Sequence, residues 1–140
     1  MRPDDRGWIR QLLEEAENER MHLMIFIQIA KPNWFERWMI ILAQALFWHF
    51  YLVLYIFFPA CAHSMVGYFE EQAVISYTDY LKQIDNGKTK NIPAPKIAIG
   101  YYGLRKTATL RDVVLAVRQD ERGHAKVNHE MADEVRREKN

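Results

Sequence analysis

Two Glu-x-x-His pairs, Glu19 with His22 and Glu121 with His124, sit near opposite ends of a 140-residue chain, each inside an apolar pattern of helical period. Leu12, Ala16, Glu19, Leu23, Phe26 and Ala30 follow one another at steps of four and three. So do Val113, Val117, Glu121, His124, Asn128 and Met131. Residues three or four apart share one face of a helix, so each pair presents a carboxylate and an imidazole side by side on a face that otherwise wants to be buried. A third series, Val66, Glu70, Ala73, Tyr77, Leu81 and Ile84, carries another glutamate in the same way. Three helices are therefore expected to aim a glutamate at one core.

A buried, unpaired carboxylate costs several kcal/mol even after relaxation, and three of them converging demand a cation. Carboxylate oxygen with imidazole nitrogen suits iron or manganese rather than a thiolate-selecting ion. Two helices giving Glu-x-x-His and two giving a single Glu is the arrangement of ferritin-like di-metal bundles; two and one can be counted here. The expected fold is thus all-α, a ferritin-like di-iron four-helix bundle whose first core helix is not among these residues. One Glu-x-x-His alone is more often a solvated or ion-paired feature; two on apolar seams favour ligation. Glu14, Glu15, Glu17 and Glu71 lie off the seams, as solvent-facing residues or as supports of the ligands. His49, His63 and His129 read as structural, and Tyr77 as either a core tyrosine or a redox-active neighbour of the metal.

The periodicity predicts four helices. The first runs from about Trp8 to Lys31 and stops at Pro32. Asn33 with Glu36 forms a capping-box start for the second, which runs to about Phe57 before Pro59 breaks it. A third spans roughly Ala62 to Ile84 and closes on Asp85-Asn86-Gly87, where Gly87 suits a left-handed cap. Residues 88–108 read as an irregular stretch packed across the bundle. The last helix starts at Thr109, with Asp112 completing a Thr-x-x-Asp signature, and fades in the charged tail ending Lys139-Asn140. A chain of this length holds one core, so residues 1–140 are expected to form a single domain.

Charge excludes one class of partner. Lys and Arg number 19 against 18 for Asp and Glu, a net of +1, which gives no footprint for nucleic acid. The one cysteine, Cys61, is unpaired and reads as a small buried apolar residue, with no disulfide or CxxC chemistry. The start, with Asp4 and Asp5, shows neither a secretory nor a transit pattern.

From Trp38 to Ala62 no charged residue occurs, and Gln44 and His49 are the main polar interruptions. Such a run is long enough to span a bilayer. A span, however, would leave Glu19 and Glu70 on opposite sides, about 30 Å apart and unable to share a metal. In ferritin-like bundles the second and third core helices are parallel and need a crossover as long as the bundle, which about 20 helical residues supply. The run is expected to be that crossover, lying in one leaflet. Trp34, Phe35, Trp38, Trp48, Tyr51, Tyr55 and the flanking Arg37 suit such a monotopic attachment.

The segments LLEEAENERMHLM (12–24), VGYFEEQAVISYTDYL (66–81) and TLRDVVLAVRQDERGHAKVNH (109–129) resemble, in order, the ENERMHL, LEEEA and RADEAHH motifs of the alternative oxidases, the cyanide-insensitive ubiquinol oxidases of mitochondria and some bacteria. The likeness covers nearly the whole chain. It implies a membrane enzyme, in the mitochondrial inner membrane or a bacterial cytoplasmic membrane, that takes electrons from ubiquinol and reduces O2 to water at two non-haem iron ions without pumping protons. A homodimer is the expected assembly.

Position by position, the resemblance implies Glu19, His22, Glu70, Glu121 and His124 as ligands and Tyr77 as a near-iron tyrosine. It further implies Asn18 and Asp120 as hydrogen-bonding supports of the ligands, Ala73 and Ser76 at the quinol pocket, and Arg37, Trp38 and Trp48 toward the membrane. Gln72 stands where the family has a third glutamate, and Arg122-Gly123 where it has a small residue followed by His or Glu. The family has two further helices before Trp8, one bearing another glutamate ligand, so these residues read as N-terminally incomplete. Alone they are expected to bind metal poorly and oxidise little quinol. Two other readings are a different membrane-bound di-iron oxygenase or hydroxylase, and a single-pass membrane adaptor whose Glu and His lie on the surface.

Overall fold

The computed structural model describes residues 7–138, and these are mainly helical, with no strand among them. The Asp4–Asp5 pair and the last tail residues, Lys139 and Asn140, lie outside the described residues. Helix α1 spans Trp8–Ala30 and ends where Lys31 turns left-handed (φ 49°), its N–H donating to the Ile27 carbonyl ahead of Pro32. Helix α2 spans Trp34–Phe57. Its start is the expected capping box: Asn33 Oδ1 accepts from the Glu36 N–H at 3.0 Å, and Glu36 Oε2 accepts from the Asn33 N–H at 2.7 Å.

Only Phe58 separates α2 from α3 (Pro59–Asp85), which opens three residues before the expected Ala62. Proline cannot extend α2, but at the first position of the next helix its fixed φ and missing N–H cost nothing. The far end of α3 closes as expected, with Gly87 left-handed at φ 72° and its N–H donating to the Ile84 carbonyl. At the last helix, α5 (Leu110–Glu138), Asp112 Oδ2 accepts from both the N–H and the hydroxyl of Thr109.

Residues 88–108 correct the sequence reading. They contain a fifth helix, α4, over Lys96–Tyr102. Its seven residues include β-branched isoleucines and a glycine, too short and too weak a pattern to announce itself. Burial makes it form: Ala98 is fully enclosed with Ile25, Val113 and Val117. The flanking chain is pinned by Ala94 N–H to the Ala108 carbonyl (2.9 Å) and Leu110 N–H to the Ile92 carbonyl (2.8 Å).

The most extensive packing is between α3 and α5. Leu81, Ile84, Leu110 and Val114 form one buried cluster there, and Phe26, Ile29 and Tyr77 join it to the Ile25–Val113–Val117 cluster below α4. Close approach of the two helices depends on Gly67. A Cβ at that position would stand 2.8 Å from the His129 ring, which itself bonds Glu71 at 3.0 Å. Gly67→Ala gains about 1 kcal/mol of helix propensity but overpacks the contact by about 1–3 kcal/mol. A net loss of about 1 kcal/mol, seen as a Tm lower by about 4 °C, is expected in thermal denaturation; a higher Tm would refute the close-packing account.

Helix α2 folds back along α3. Phe47 meets Phe69 (6.1 Å) and Tyr55 meets His63 (5.4 Å), pairings whose opposite progression marks an antiparallel hairpin. Glu19 lies eleven residues before the end of α1, and Glu70 eleven after the start of α3. Each is thus about 16 Å from its end of α2, whose 24 residues rise about 36 Å, so α1 and α3 run parallel with both glutamates near mid-height. No α2 residue is buried; Trp34, Trp38, Leu46, Trp48 and Phe57 are all more than half exposed. Cys61, expected to be buried, is exposed as well, because α3 turns that side away from α5.

Candidate metal centre

Glu19 and His22 on α1, Glu70 on α3, and Glu121 and His124 on α5 come together. One ligand atom each from Glu19, Glu70, Glu121 and His124 lies within 4.8 Å of all the others. His22 adjoins this group, with Nδ1 3.1 Å from Glu19 Oε1 and 3.3 Å from Glu121 Oε1. His124 Nδ1 is also 3.1 Å from Glu19 Oε1. The i, i+3 spacing therefore does on both helices what the sequence leads one to expect. Glu121, His22 and His124 are buried, which is at odds with a surface role for them. The expected seam of α1 is not its buried face: Met21, His22 and Ile25 are enclosed instead, and Glu19 is 47% exposed in its side chain, at the edge of an open cleft of about 630 Å³ lined by Ala16, Leu23, Phe26, Tyr77 and Gln44 of α2.

The two imidazoles carry the test of whether a metal fits. Nδ1 of His22 and of His124 are buried yet make no aligned hydrogen bond, although a carboxylate oxygen stands at ion-pair distance from each. A buried ring nitrogen left in that state is costly. A cation between nitrogen and oxygen lone pairs would satisfy both, and a donor set of carboxylates and imidazoles without thiolate fits iron or manganese.

The far side of His22 is fully engaged. Its Nε2 lies 3.1 Å from Asp120 Oδ2 and 3.0 Å from the Tyr102 hydroxyl. Asp120 Oδ2 also accepts from Tyr102 (2.7 Å) and from Asn18 Nδ2 (3.1 Å). An anionic acceptor at Nε2 keeps a proton there, so that once a cation displaces the proton on the other nitrogen the Nδ1 lone pair faces the carboxylates. His124 is held through its backbone: Asn128 Nδ2 donates to the His124 carbonyl and to Glu15 Oε2, both at 3.0 Å. With its amide so oriented, Asn128 Oδ1 faces His63 Nδ1 at 3.1 Å.

Electrostatics follow from crowding in a poorly solvated place. Burial and the neighbouring Glu121 carboxylate push Glu70 up to about 9. For Glu19, burial works upward, but His124 and His22 outweigh it and hold the carboxyl down to about 2. His22 is the counterpart: burial opposes its charge, while Asp120, Glu121 and Glu19 raise it to about 11. Without a metal the cluster must hold protons, so metal binding here must expel them and should weaken as pH falls.

Tyr77 is half-buried, stacked on Phe26 at 5.7 Å in the wall of the cleft beside Glu19 and His22, and burial with the three glutamates raises its hydroxyl well above the usual tyrosine range. Ser76 is exposed and turns its hydroxyl back to the Gln72 carbonyl (2.9 Å); Ala73 is half-buried. Arg37, Trp38 and Trp48 lie on the exposed side of α2. Two features escaped the sequence reading. Tyr102 comes from α4, and the one hint of its role was that a tyrosine folded inward needs a hydroxyl partner. For the Glu15–Asn128–His63 chain the sequence left Glu15 open between facing solvent and supporting the ligands, and only the partner Asn128 could not be read from it.

A family model described as Alternative oxidase matches residues 1–133. Among curated relatives, "Ubiquinol oxidase 1c, mitochondrial" of Arabidopsis thaliana is 57% identical over 127 residues, covering 91% of this chain and 39% of the relative. "Ubiquinol oxidase 2, mitochondrial" of Nicotiana tabacum is 57% identical over 123 residues (88% and 41%). "Ubiquinol oxidase, mitochondrial" of Batrachochytrium dendrobatidis is 53% identical over 131 residues (94% and 42%). The chain spans about two fifths of the length of these relatives.

Proposed function

This chain belongs to the alternative oxidase family, and on that footing we propose that it supplies the paired Glu-x-x-His part of a membrane-bound ubiquinol oxidase that passes electrons from ubiquinol to O2 without pumping protons. The observation that carries the proposal is the convergence of Glu19, Glu70, Glu121 and His124 within 4.8 Å, with the Nδ1 atoms of His22 and His124 buried beside the carboxylates and unbonded. Glu19, His22, Glu70, Glu121 and His124 would hold two iron ions, which when bound supply the redox chemistry between quinol and O2.

The residues around the ligands have separable tasks. Asp120, supported by Tyr102 and Asn18, holds the proton on His22 Nε2 and so orients the ring. Tyr77 lies between the ligands and the apolar cleft, where its hydroxyl keeps its proton and its ring lines the approach of a reductant. Ala73 and Ser76 follow on the same helix as the quinol-facing positions, and Gln72 removes a charge from their neighbourhood. Helix α2 lies along one leaflet of a mitochondrial inner membrane or a bacterial cytoplasmic membrane. Arg37, Trp38 and Trp48 contact lipid there, since a bilayer-spanning α2 would separate Glu19 from Glu70. The active assembly is a homodimer.

The test uses the product of the natural reading frame. Iron bound to the protein together with cyanide-insensitive ubiquinol oxidation is the expected result; a well-folded, iron-free protein, or one oxidising a lipid instead of quinol, would overturn the reading. Membrane attachment has its own check. The protein should float with phospholipid vesicles, and replacing Trp38 and Trp48 together by Glu should lower partition by about ten-fold or more, each 1.4 kcal/mol of lost transfer energy being ten-fold.

A further inference from the structure

Glu15, His63 and Asn128 form a second polar layer beside the ligands, on the same three helices. Glu15 precedes Glu19 by four residues on α1, and His63 precedes Glu70 by seven on α3. Asn128 follows His124 by four on α5, which runs antiparallel to α3, Arg111 meeting Asp85 at one end and Arg136 meeting Ser64 at the other. At 1.5 Å per residue all three therefore lie to the same side of the ligands, about 6–10 Å along the bundle and on the helix faces that the ligands use. We propose that His63 and Asn128 are positioning residues of the metal centre: with Glu15 they lock the rotation of α1, α3 and α5 so that the ligand faces meet. The proposal rests on the assignment of the metal centre above.

The hydrogen bonds allow one consistent arrangement. Asn128 Nδ2 lies 3.0 Å from both Glu15 Oε2 and the His124 carbonyl, two acceptors, so that atom is the amide nitrogen and Oδ1 must accept from His63 Nδ1 at 3.1 Å. His63 thus carries its proton on Nδ1, and burial, which lowers its basicity, keeps the ring neutral. Its Nε2 is then a buried lone pair with no partner among the described residues. Such an atom is costly. A phenyl ring would fill the same space without that cost, between Trp8 of α1 and Tyr55 of α2, which meet the imidazole edge-on at 5.6 and 5.4 Å. What a phenyl ring lacks is the donor to Asn128. Because the chain closes on the backbone of His124, a rotation of α5 that displaced this ligand would have to break it. His63 is fully enclosed and Asn128 is 2% exposed, so water does not replace the bonds.

The experiment uses the iron-loaded product of the natural reading frame. It compares wild type with His63→Phe, which keeps the aromatic contacts and removes the donor, and with His63→Asn, whose amide returns a donor near the Nδ1 position. Iron affinity is read by chelator competition and ligand geometry by Mössbauer spectroscopy. His63→Phe should bind iron about ten-fold more weakly and broaden the Mössbauer lines, with kcat lowered and KM for ubiquinol unchanged. His63→Asn should recover most of the affinity and the wild-type lines. A lower Tm with wild-type affinity and spectrum in His63→Phe is what a merely structural histidine gives; that result, or a His63→Asn no better than His63→Phe, would overturn the proposal. Should His63→Phe fail to fold, Glu15→Gln against Glu15→Met decides: both remove the charge but only glutamine keeps an acceptor for Asn128, so equal iron affinities overturn it. A wild type that binds no iron defeats the metal centre and this proposal together. An iron-loaded wild type that oxidises no ubiquinol defeats only the oxidase reading, and the affinities of the variants still decide.

Discussion

Glu121→Ala is expected to strip the centre of metal while leaving the helices in place. Glu121 is buried, its Oε1 stands 3.3 Å from His22 Nδ1, and its carboxylate belongs to the group that converges within 4.8 Å. Removing one partner from a buried ionic cluster costs about 3–5 kcal/mol. For a metal held by that cluster this means affinity lower by about a hundred-fold or more. The metal-stripped protein should respond differently, because losing Glu121 also removes the neighbour that, after burial, does most to push Glu70 up to about 9. Metal analysis with circular dichroism on wild type, Glu121→Ala and the isosteric Glu121→Gln separates the two effects. Retention of metal in Glu121→Ala at the wild-type level would sink the assignment of this cluster as the centre.

Asp120→Asn should weaken metal binding and turnover by about ten- to a hundred-fold with no change in the ligands themselves. One oxygen of Asp120 is shared by His22 Nε2, Tyr102 and Asn18. Neutralising it removes the anion that keeps the His22 proton on Nε2, so the ring can place a proton on Nδ1 and oppose a cation there. Asp120→Ala goes further, removing the oxygen shared by His22, Tyr102 and Asn18 altogether, so its Tm should fall as well. The distinguishing measurement is metal affinity against pH. The Asn variant should bind metal more weakly at high pH, where His22 has already lost its extra proton, yet lose affinity less steeply as pH falls, because Asp120 is the largest influence raising His22. Equal affinities across the pH range would rule out this positioning role.

The divergence between sequence and structure falls along a physical line. Periodicity located the core face of α5 and the C-terminal part of that of α3, but not that of α1, whose enclosed side is Met21, His22 and Ile25; the i, i+3 rule put Glu19 beside His22 and Glu121 beside His124, because it follows from the 3.6-residue turn and needs no knowledge of the rest of the molecule. Caps were equally legible at Asn33–Glu36 and Thr109–Asp112, where the hydrogen bonds close within four residues. Cys61 and Glu19 were not. An apolar neighbourhood in sequence says that a residue belongs to a helix, but which side of that helix faces a partner depends on where the partner lies, and both turned out exposed.

What the sequence by itself determined is the four long helices and the identity of the ligand groups that meet, since those depend on local turn geometry and on the cost of burying charge. Tertiary structure alone decided the remainder. Burial of Ala98 turned a weak seven-residue segment into α4 and so carried Tyr102 to Asp120. The glycine at 67 let α3 and α5 approach, and the hairpin at Phe58 set Glu19 and Glu70 at one height. These are long-range contacts, and no local rule encodes them. The two Glu-x-x-His pairs could thus be read directly from the chain, while the hydrogen bonds that orient their imidazoles could be found only once distant segments had been brought together.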